Sequence, residues 1–174
     1  MIRVLNIYIR KFESEDAENL RQIRNESTRF LINKDTISKE EQLKWLESND
    51  FNKNTFFSVE YQNDVIGFLN VKKRNPLDEV ETGILFKKEY HNHHAPATAI
   101  IAMTYYLFSY TSTNKLVSVV HKENRNAINM NFKLGFMYKN EFKKDFLEMN
   151  LYKSEFLTIY IQKFKKLKFI FDND

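Results

Sequence analysis

Residues 1–10 alternate between apolar and polar positions and carry charge, which reads as a strand rather than a secretion signal; the first strand is expected over 5–12. Ser14 then caps an expected helix over 15–25, with Ala17, Leu20 and Ile23 at helical spacing. Residues 26–35, with Arg29 and Phe30, read as a loop or short irregular helix. Ser38 and Glu41 stand three apart, the spacing of a capping box, and open a helix carrying Leu43, Trp45 and Leu46 that ends near Asn49. Alternation returns over 55–61 and 65–73, two strands joined by a hairpin turn at Asn63-Asp64. Asn75-Pro76 breaks the second strand, and a further strand is expected over 79–87.

A polar, histidine-rich turn at 91–97 leads into an apolar helix reaching about Tyr110, whose Ile100, Ile101, Met103, Leu107 and Phe108 read as core packing. A strand over 115–121 follows. Then come Asn124-Arg125-Asn126-Ala127 and Lys133-Leu134-Gly135-Phe136, which bracket another helix. Strand, turn, helix, strand and helix over 79–136 make a parallel crossover unit, the stretch around which the chain is organised. Such a unit presents a helix N-terminus to whatever binds at the carboxyl ends of the strands. Two late strands are expected over 137–143 and 156–161.

At 174 residues with 16 Phe and 9 Tyr, the chain suits one domain spanning 1–174 with a sizeable core. There is no internal repeat and no long linker. The absence of Cys excludes disulfides, thiolate nucleophiles and cysteine zinc sites. No apolar run approaches the ~20 residues of a membrane span, so a cytoplasmic protein without membrane contact is the expectation. The formal net charge of +4 comes from lysines spread along the chain, clustered only at Lys163, Lys165, Lys166 and Lys168. That pattern fits a solvated surface or a preference for phosphate-bearing ligands; it lacks the concentrated basic face of a nucleic-acid binder. His91, His93 and His94 cluster, but no further ligand set accompanies them and no metal is expected.

The order of elements, with Val80-Glu81-Thr82-Gly83-Ile84-Leu85 and with Asn124-x-x-Ala127 running to Lys133-Leu134-Gly135-Phe136, resembles the GNAT superfamily of acyl-CoA N-acyltransferases. The resemblance covers about residues 7–161. It implies an α/β GNAT fold: a mixed, mostly antiparallel central sheet of about six or seven strands flanked by about four helices. It implies acetyl-CoA as co-substrate. The pantetheine arm would pair with strand backbone near Leu85 and Phe86, and the pyrophosphate would lie over the turn and helix start at His91, Asn92, His93, His94, Ala95 and Ala97, with Asn124 and Asn131 beyond. The chain departs from the family's glycine-bearing phosphate turn: His91, His94 and Pro96 fill the matching positions, and Pro96 has no N–H. Where many members carry a tyrosine acid, this chain has Asn131; Tyr138 is a substitute or simply a strand aromatic.

The resemblance makes Glu81 the candidate base, since an amine acceptor must lose a proton before or during attack. Glu79, on the same face, is the alternative, and a plain ion-pair role stays open. His121 either lines the acceptor cleft or packs at the strand end. Arg24 and Arg29 suit a diphosphate, and Trp45 suits stacking on a ring or core packing. Together these resemble N-acetyltransferases that modify nucleotide-linked amino sugars, and also ribosomal-protein N-terminal acetyltransferases. The expected activity is acetyl transfer from acetyl-CoA to a small-molecule amine, by direct attack. The acceptor is expected to be a sugar nucleotide. Alternatives are a protein or peptide N-terminal acetyltransferase and a non-catalytic acyl-CoA-fold binding protein. The aromatic tail either packs on its own domain or pairs with a second subunit in a homodimer.

Overall fold

The computed structural model describes residues 1–74 and 78–172; the expected break at Asn75-Pro76 lies outside them. The described strands are β1 (Ile2–Val4), β2 (Ile7–Lys11), β3 (Asn54–Tyr61), β4 (Asp64–Lys73), β5 (Glu79–Phe86), β6 (Lys115–His121), β7 (Met137–Lys143), β8 (Phe146–Tyr152) and β9 (Ile170–Phe171). The helices are α1 (Ala17–Glu26), α2 (Lys39–Ser48), α3 (His94–Tyr110), α4 (Arg125–Leu134) and α5 (Lys153–Ile159). All nine strands join one sheet in the order β7-β8-β6-β5-β4-β3-β2-β1-β9. Only β5 and β6 run parallel among the described pairs, as a crossover through α3 requires. This is the α/β architecture expected, with more strands.

Local chemistry explains most boundaries. Ser38 and Glu41 form the capping box: Glu41 N–H donates to Ser38 Oγ at 3.2 Å, and Ser38 N–H donates to the Glu41 carboxylate at 2.7 Å. Asn124 caps α4 by accepting from Ala127 N–H at 3.1 Å. Gly135 closes α4 at φ 98°, a left-handed conformation that side chains resist, and its N–H returns to the helix carbonyls. A Cβ there would stand 2.5 Å from Ile159 Cδ1 on α5. Gly135→Ala is therefore expected to cost about 2 kcal/mol, from left-handed strain plus displacement of α5, read as a lowered urea midpoint.

Several boundaries differ from expectation. Leu5 and Asn6 form a turn, with Leu5 at φ 52°, which splits the first strand into the β1–β2 hairpin. The β3–β4 turn is Gln62-Asn63, both at positive φ as a two-residue primed turn requires, one residue earlier than expected. Ser14 is not the first cap: its hydroxyl donates to Glu15, whereas the Asp16 carboxylate accepts the Glu13 N–H. Residues 156–161 are not a strand. Phe156, fully buried, and Tyr160 point one helical turn apart into the core, so that region winds into α5 and its wider-coiled π-type extension, Tyr160–Phe164. The true last long strand, β8, escaped notice because Glu148 and Asn150 stand at buried positions and disguise an apolar run.

The main core lies between the sheet and α3, where Phe108 meets Phe156 and where α4 adds Ile128 and Leu134. On the opposite face, α1 and α2 pack Leu20, Ile23 and Trp45 on Phe68, Phe56 and Leu85. The aromatic tail folds onto its own domain: β9 pairs with β1, and Phe169 and Phe171 stack on Tyr105. At the far edge, β7 is exposed and carries two register shifts against β8, the kind of irregularity that discourages edge-to-edge pairing. No helix among the described residues is long and apolar enough to cross a membrane.

Candidate active site

The parallel pairing of β5 and β6 is short. Glu79, Val80 and Glu81 register with Lys115, Leu116 and Val117, and there the pairing stops. From that point β5 continues to Phe86 along β4, and β6 continues to His121 along β8. The two strands splay, so the facing backbone groups beyond Glu81 and Val117 lie unpaired across a wedge. Pantetheine is an extended diamide, and such a wedge offers it peptide-like pairing, with Leu85 and Phe86 near its open end. Acetyl-CoA thus fits the strand part of the site.

At the phosphate end the donors are partly rearranged. The His91 ring bonds the Phe86 carbonyl at 3.1 Å, which requires its Nε2 to carry the proton. His93 is the N-cap of α3, its Nδ1 accepting the Ala95 N–H at 3.2 Å. With Pro96 lacking an N–H, two of the first donors of α3 are not open to a phosphate. His93 and His94 lie against each other and against Tyr61, their ring centres 5.0 and 5.8 Å from the tyrosine. Asn92 is exposed in the same turn, and Ala95 and Ala97 are the small residues under it. No group of three metal-ligating side chains occurs among the described residues. Asn124 is spent as the α4 cap, and Asn131 donates to Ser118 Oγ at 3.0 Å, tying α4 to β6; a side-chain amide is far too weak an acid to protonate a leaving thiolate.

At the fork, on the α1–α2 face, a cleft of about 320 Å³ is lined by Arg24, Phe30, Leu31, Ile32, Asn33, Glu81, Thr82, Gly83, Val119 and Phe146. The structure therefore brings Glu81 and Arg24 together. Arg24, however, donates to the backbone carbonyls of Asn33 (2.9 Å) and Asp35, clamping the loop that forms the cleft wall. Arg29 is beside that loop, 76% exposed, above the Phe30 ring and 3.9 Å from Glu123. Trp45 does not line the cleft; it packs edge-on against Phe12, Phe51 and Phe56. His121 is buried between Phe30 and Phe146, two cleft-lining rings, and supports the wall. Glu79 is paired with Lys115. A smaller hollow of about 200 Å³, walled by Val80, Tyr106 and Leu107, is on the other face near the C-terminal end of α3 and shares no residue with the cleft.

Sequence reading missed four polar residues here: Arg74, Lys139, Glu148 and Asn150. Arg74 donates to Glu81 at 3.2 Å and to Glu148 at 3.4 Å, and Lys139 reaches Glu148 at 3.0 Å. Asn150 lies in the same cross-strand row as Glu81, through Val117, and its buried Oδ1 has no donor among the described residues. Buried polar residues inside an otherwise apolar strand were the available signal for Glu148 and Asn150. Burial works against a charge on Glu148, but Lys139 and Arg74 more than offset it and hold the carboxyl below its ordinary range.

The sequence matches the acetyltransferase (GNAT) domain family over residues 6–137, more than half of the chain. A search of curated proteins finds no match. Among solved structures, a GNAT-family acetyltransferase from Bacillus anthracis superimposes with a TM-score of 0.77 at 22% identity, covering 88% of this chain and 99% of that one. Spermidine N-acetyltransferase from Vibrio cholerae, in complex with CoA and spermine, gives 0.72 at 20% identity, covering 87% and 98%. A domain from Methanocaldococcus jannaschii DSM 2661 gives 0.73 at 20%, covering 86% and 99%. At these identities the structural likeness speaks for the fold, and the family match carries the activity. The chain belongs to the GNAT family and is an acetyl-CoA-dependent N-acetyltransferase.

Proposed function

We propose that this enzyme acetylates the amino group of a nucleotide-linked amino sugar, with Glu81 as the base. The observation that carries the reading is the cleft at the β5–β6 fork: one carboxylate among mostly apolar walls, directly beside the wedge suited to pantetheine. A deoxy sugar presents apolar ring faces and a single amine, which suits Phe30, Leu31, Ile32 and Phe146 around Glu81. An extended polyamine carries several cations and needs several carboxylates. Glu81 is the single carboxylate in this lining, and it already holds Arg74. Arg29 is the cation placed for the diphosphate, since Arg24 is spent on the loop.

In the reaction the amine nitrogen bonds the thioester carbonyl carbon as the C–S bond breaks and CoA leaves as the thiol or thiolate. The amine proton passes to Glu81, directly or through one water. With no cysteine in the chain, the acetyl group goes straight to the amine rather than through an acyl-thiol enzyme.

Thiol release from acetyl-CoA, measured with a UDP-linked 4-amino-4,6-dideoxy sugar, with spermidine and with a short peptide, tests the proposal. Saturable turnover is expected with the sugar nucleotide. Arg29→Ala is expected to raise its KM on the order of 10-fold with little change in kcat. Preference for spermidine or the peptide, with Arg29→Ala indifferent, overturns it.

A further inference from the structure

We propose that Arg74, anchored by the buried carboxylate of Glu148, is the positioning residue for Glu81: it holds the carboxylate in one place at the fork. The inference rests on the reading of Glu81 as the base. Arg74 sends both Nε and Nη2 to one oxygen of Glu81, each at 3.2 Å, and its third nitrogen to Glu148 at 3.4 Å. Glu148 is 5% exposed, and its other oxygen is bound by Lys139 at 3.0 Å. Two carboxylates and two cations thus alternate from the edge strand β7, through β8, to the fork. A planar guanidinium suits this bridging because its fork of donors spans two carboxylates at once.

The arrangement does two things. It leaves Glu81 one oxygen free of Arg74, turned to the cleft or to a water. It also gives Arg74 a second anion. When Glu81 accepts the proton of the amine and becomes neutral, Arg74 stays paired with Glu148 and no unpaired cation is left at the fork. Other charges around Glu81 are accounted for: Lys72 stands opposite on β4, Glu79 is two residues along β5 and paired with Lys115, and Arg24 on α1 bonds loop carbonyls. None of them bridges Glu81 to a second carboxylate.

The test is kcat and KM on the full chain with the UDP-linked 4-amino sugar, or with spermidine if that is the acceptor turned over, together with calorimetric affinity for acetyl-CoA. Arg74→Met is expected to lower kcat by about 10-fold to 100-fold while KM and acetyl-CoA affinity stay within about 3-fold, since the carboxylate remains but its placement is lost. Arg74→Lys keeps the charge but loses the fork, so only partial recovery of kcat is expected, and it serves if the Met variant fails to fold. Glu148→Gln weakens the anchor of Arg74, and a smaller loss of kcat is expected. Wild-type kcat in Arg74→Met, or in Arg74→Lys if Met does not fold, overturns the inference. Wild-type turnover in Glu81→Gln instead removes the base reading itself.

Discussion

Glu81→Gln is expected to lower kcat/KM by about 100-fold to 10,000-fold, the range a positioned general base supplies. The amide keeps the size of the side chain and still accepts from Arg74, so the fork geometry survives while the proton acceptor is lost. In the proposed arrangement acetyl-CoA lies along the β5–β6 wedge and the start of α3, and Glu81 faces the cleft beside it. Calorimetric titration with acetyl-CoA should therefore give the same affinity in the variant within about 3-fold, less than 1 kcal/mol. Loss of binding together with turnover would mean that Glu81 holds the wedge together. Retained turnover would falsify its role as the base.

The second large effect concerns Asp16. This buried carboxylate receives two nitrogens of Arg10 at 2.6 and 2.9 Å, the Ser58 hydroxyl at 2.6 Å and the Glu13 N–H at 3.0 Å. Arg10 continues to Glu60 at 2.7 Å. The cluster ties the start of α1 to β2 and β3. Asp16→Ala leaves Arg10 and Ser58 without their main partner and is expected to cost about 3–5 kcal/mol, a large share of a domain's stability. A fall of roughly 10 °C in Tm is the corresponding thermal readout. Because α1 carries Arg24, which clamps the cleft loop, turnover should fail at lower temperature as well.

Asp16 also fixes the sign of one pH effect. Burial alone would raise its carboxyl, but the hydrogen bonds from Arg10, Ser58 and Glu13 outweigh burial and hold it below its ordinary value. A depressed carboxylate contributes stability that is fully present above the unfolded value of about 3.9 and is lost as pH falls through the lower folded value. Urea midpoints should therefore drop on acidification below about pH 4, and this part of the drop should vanish in Asp16→Ala. An identical acid slope in the two proteins would rule out the coupling.

Much of the frame was legible in the chain itself. The capping box at Ser38 and Glu41, the Asn124 cap, the Gly135 stop, the bounds of β6 and β7 and the parallel crossover were all readable, because each depends on residues a few positions apart. The same locality explains the misreadings. A short apolar run with branched residues, 156–161, suits strand or helix equally, and only its burial against Phe108 selects the helix. Glu148 and Asn150 made β8 look like a loop because nothing nearby in sequence reveals that Arg74 and Lys139 stand ready to neutralise Glu148.

The candidate site divides along the same line. The sequence by itself determined the fold class, the family, the position of Glu81 on a strand of the parallel crossover and the histidine-bearing start of α3. Periodicity, caps and short motifs carry these, and their energies are spent within a turn or a strand. The tertiary structure alone decided which charged groups stay available. It commits Arg24 to loop carbonyls and Trp45 to an aromatic cluster, and it leaves Arg29 exposed. It also joins Arg74 to Glu81 and Glu148. The physical reason is that charge pairing and desolvation depend on through-space distance, and residues 74 and 148 become neighbours only once the sheet has formed.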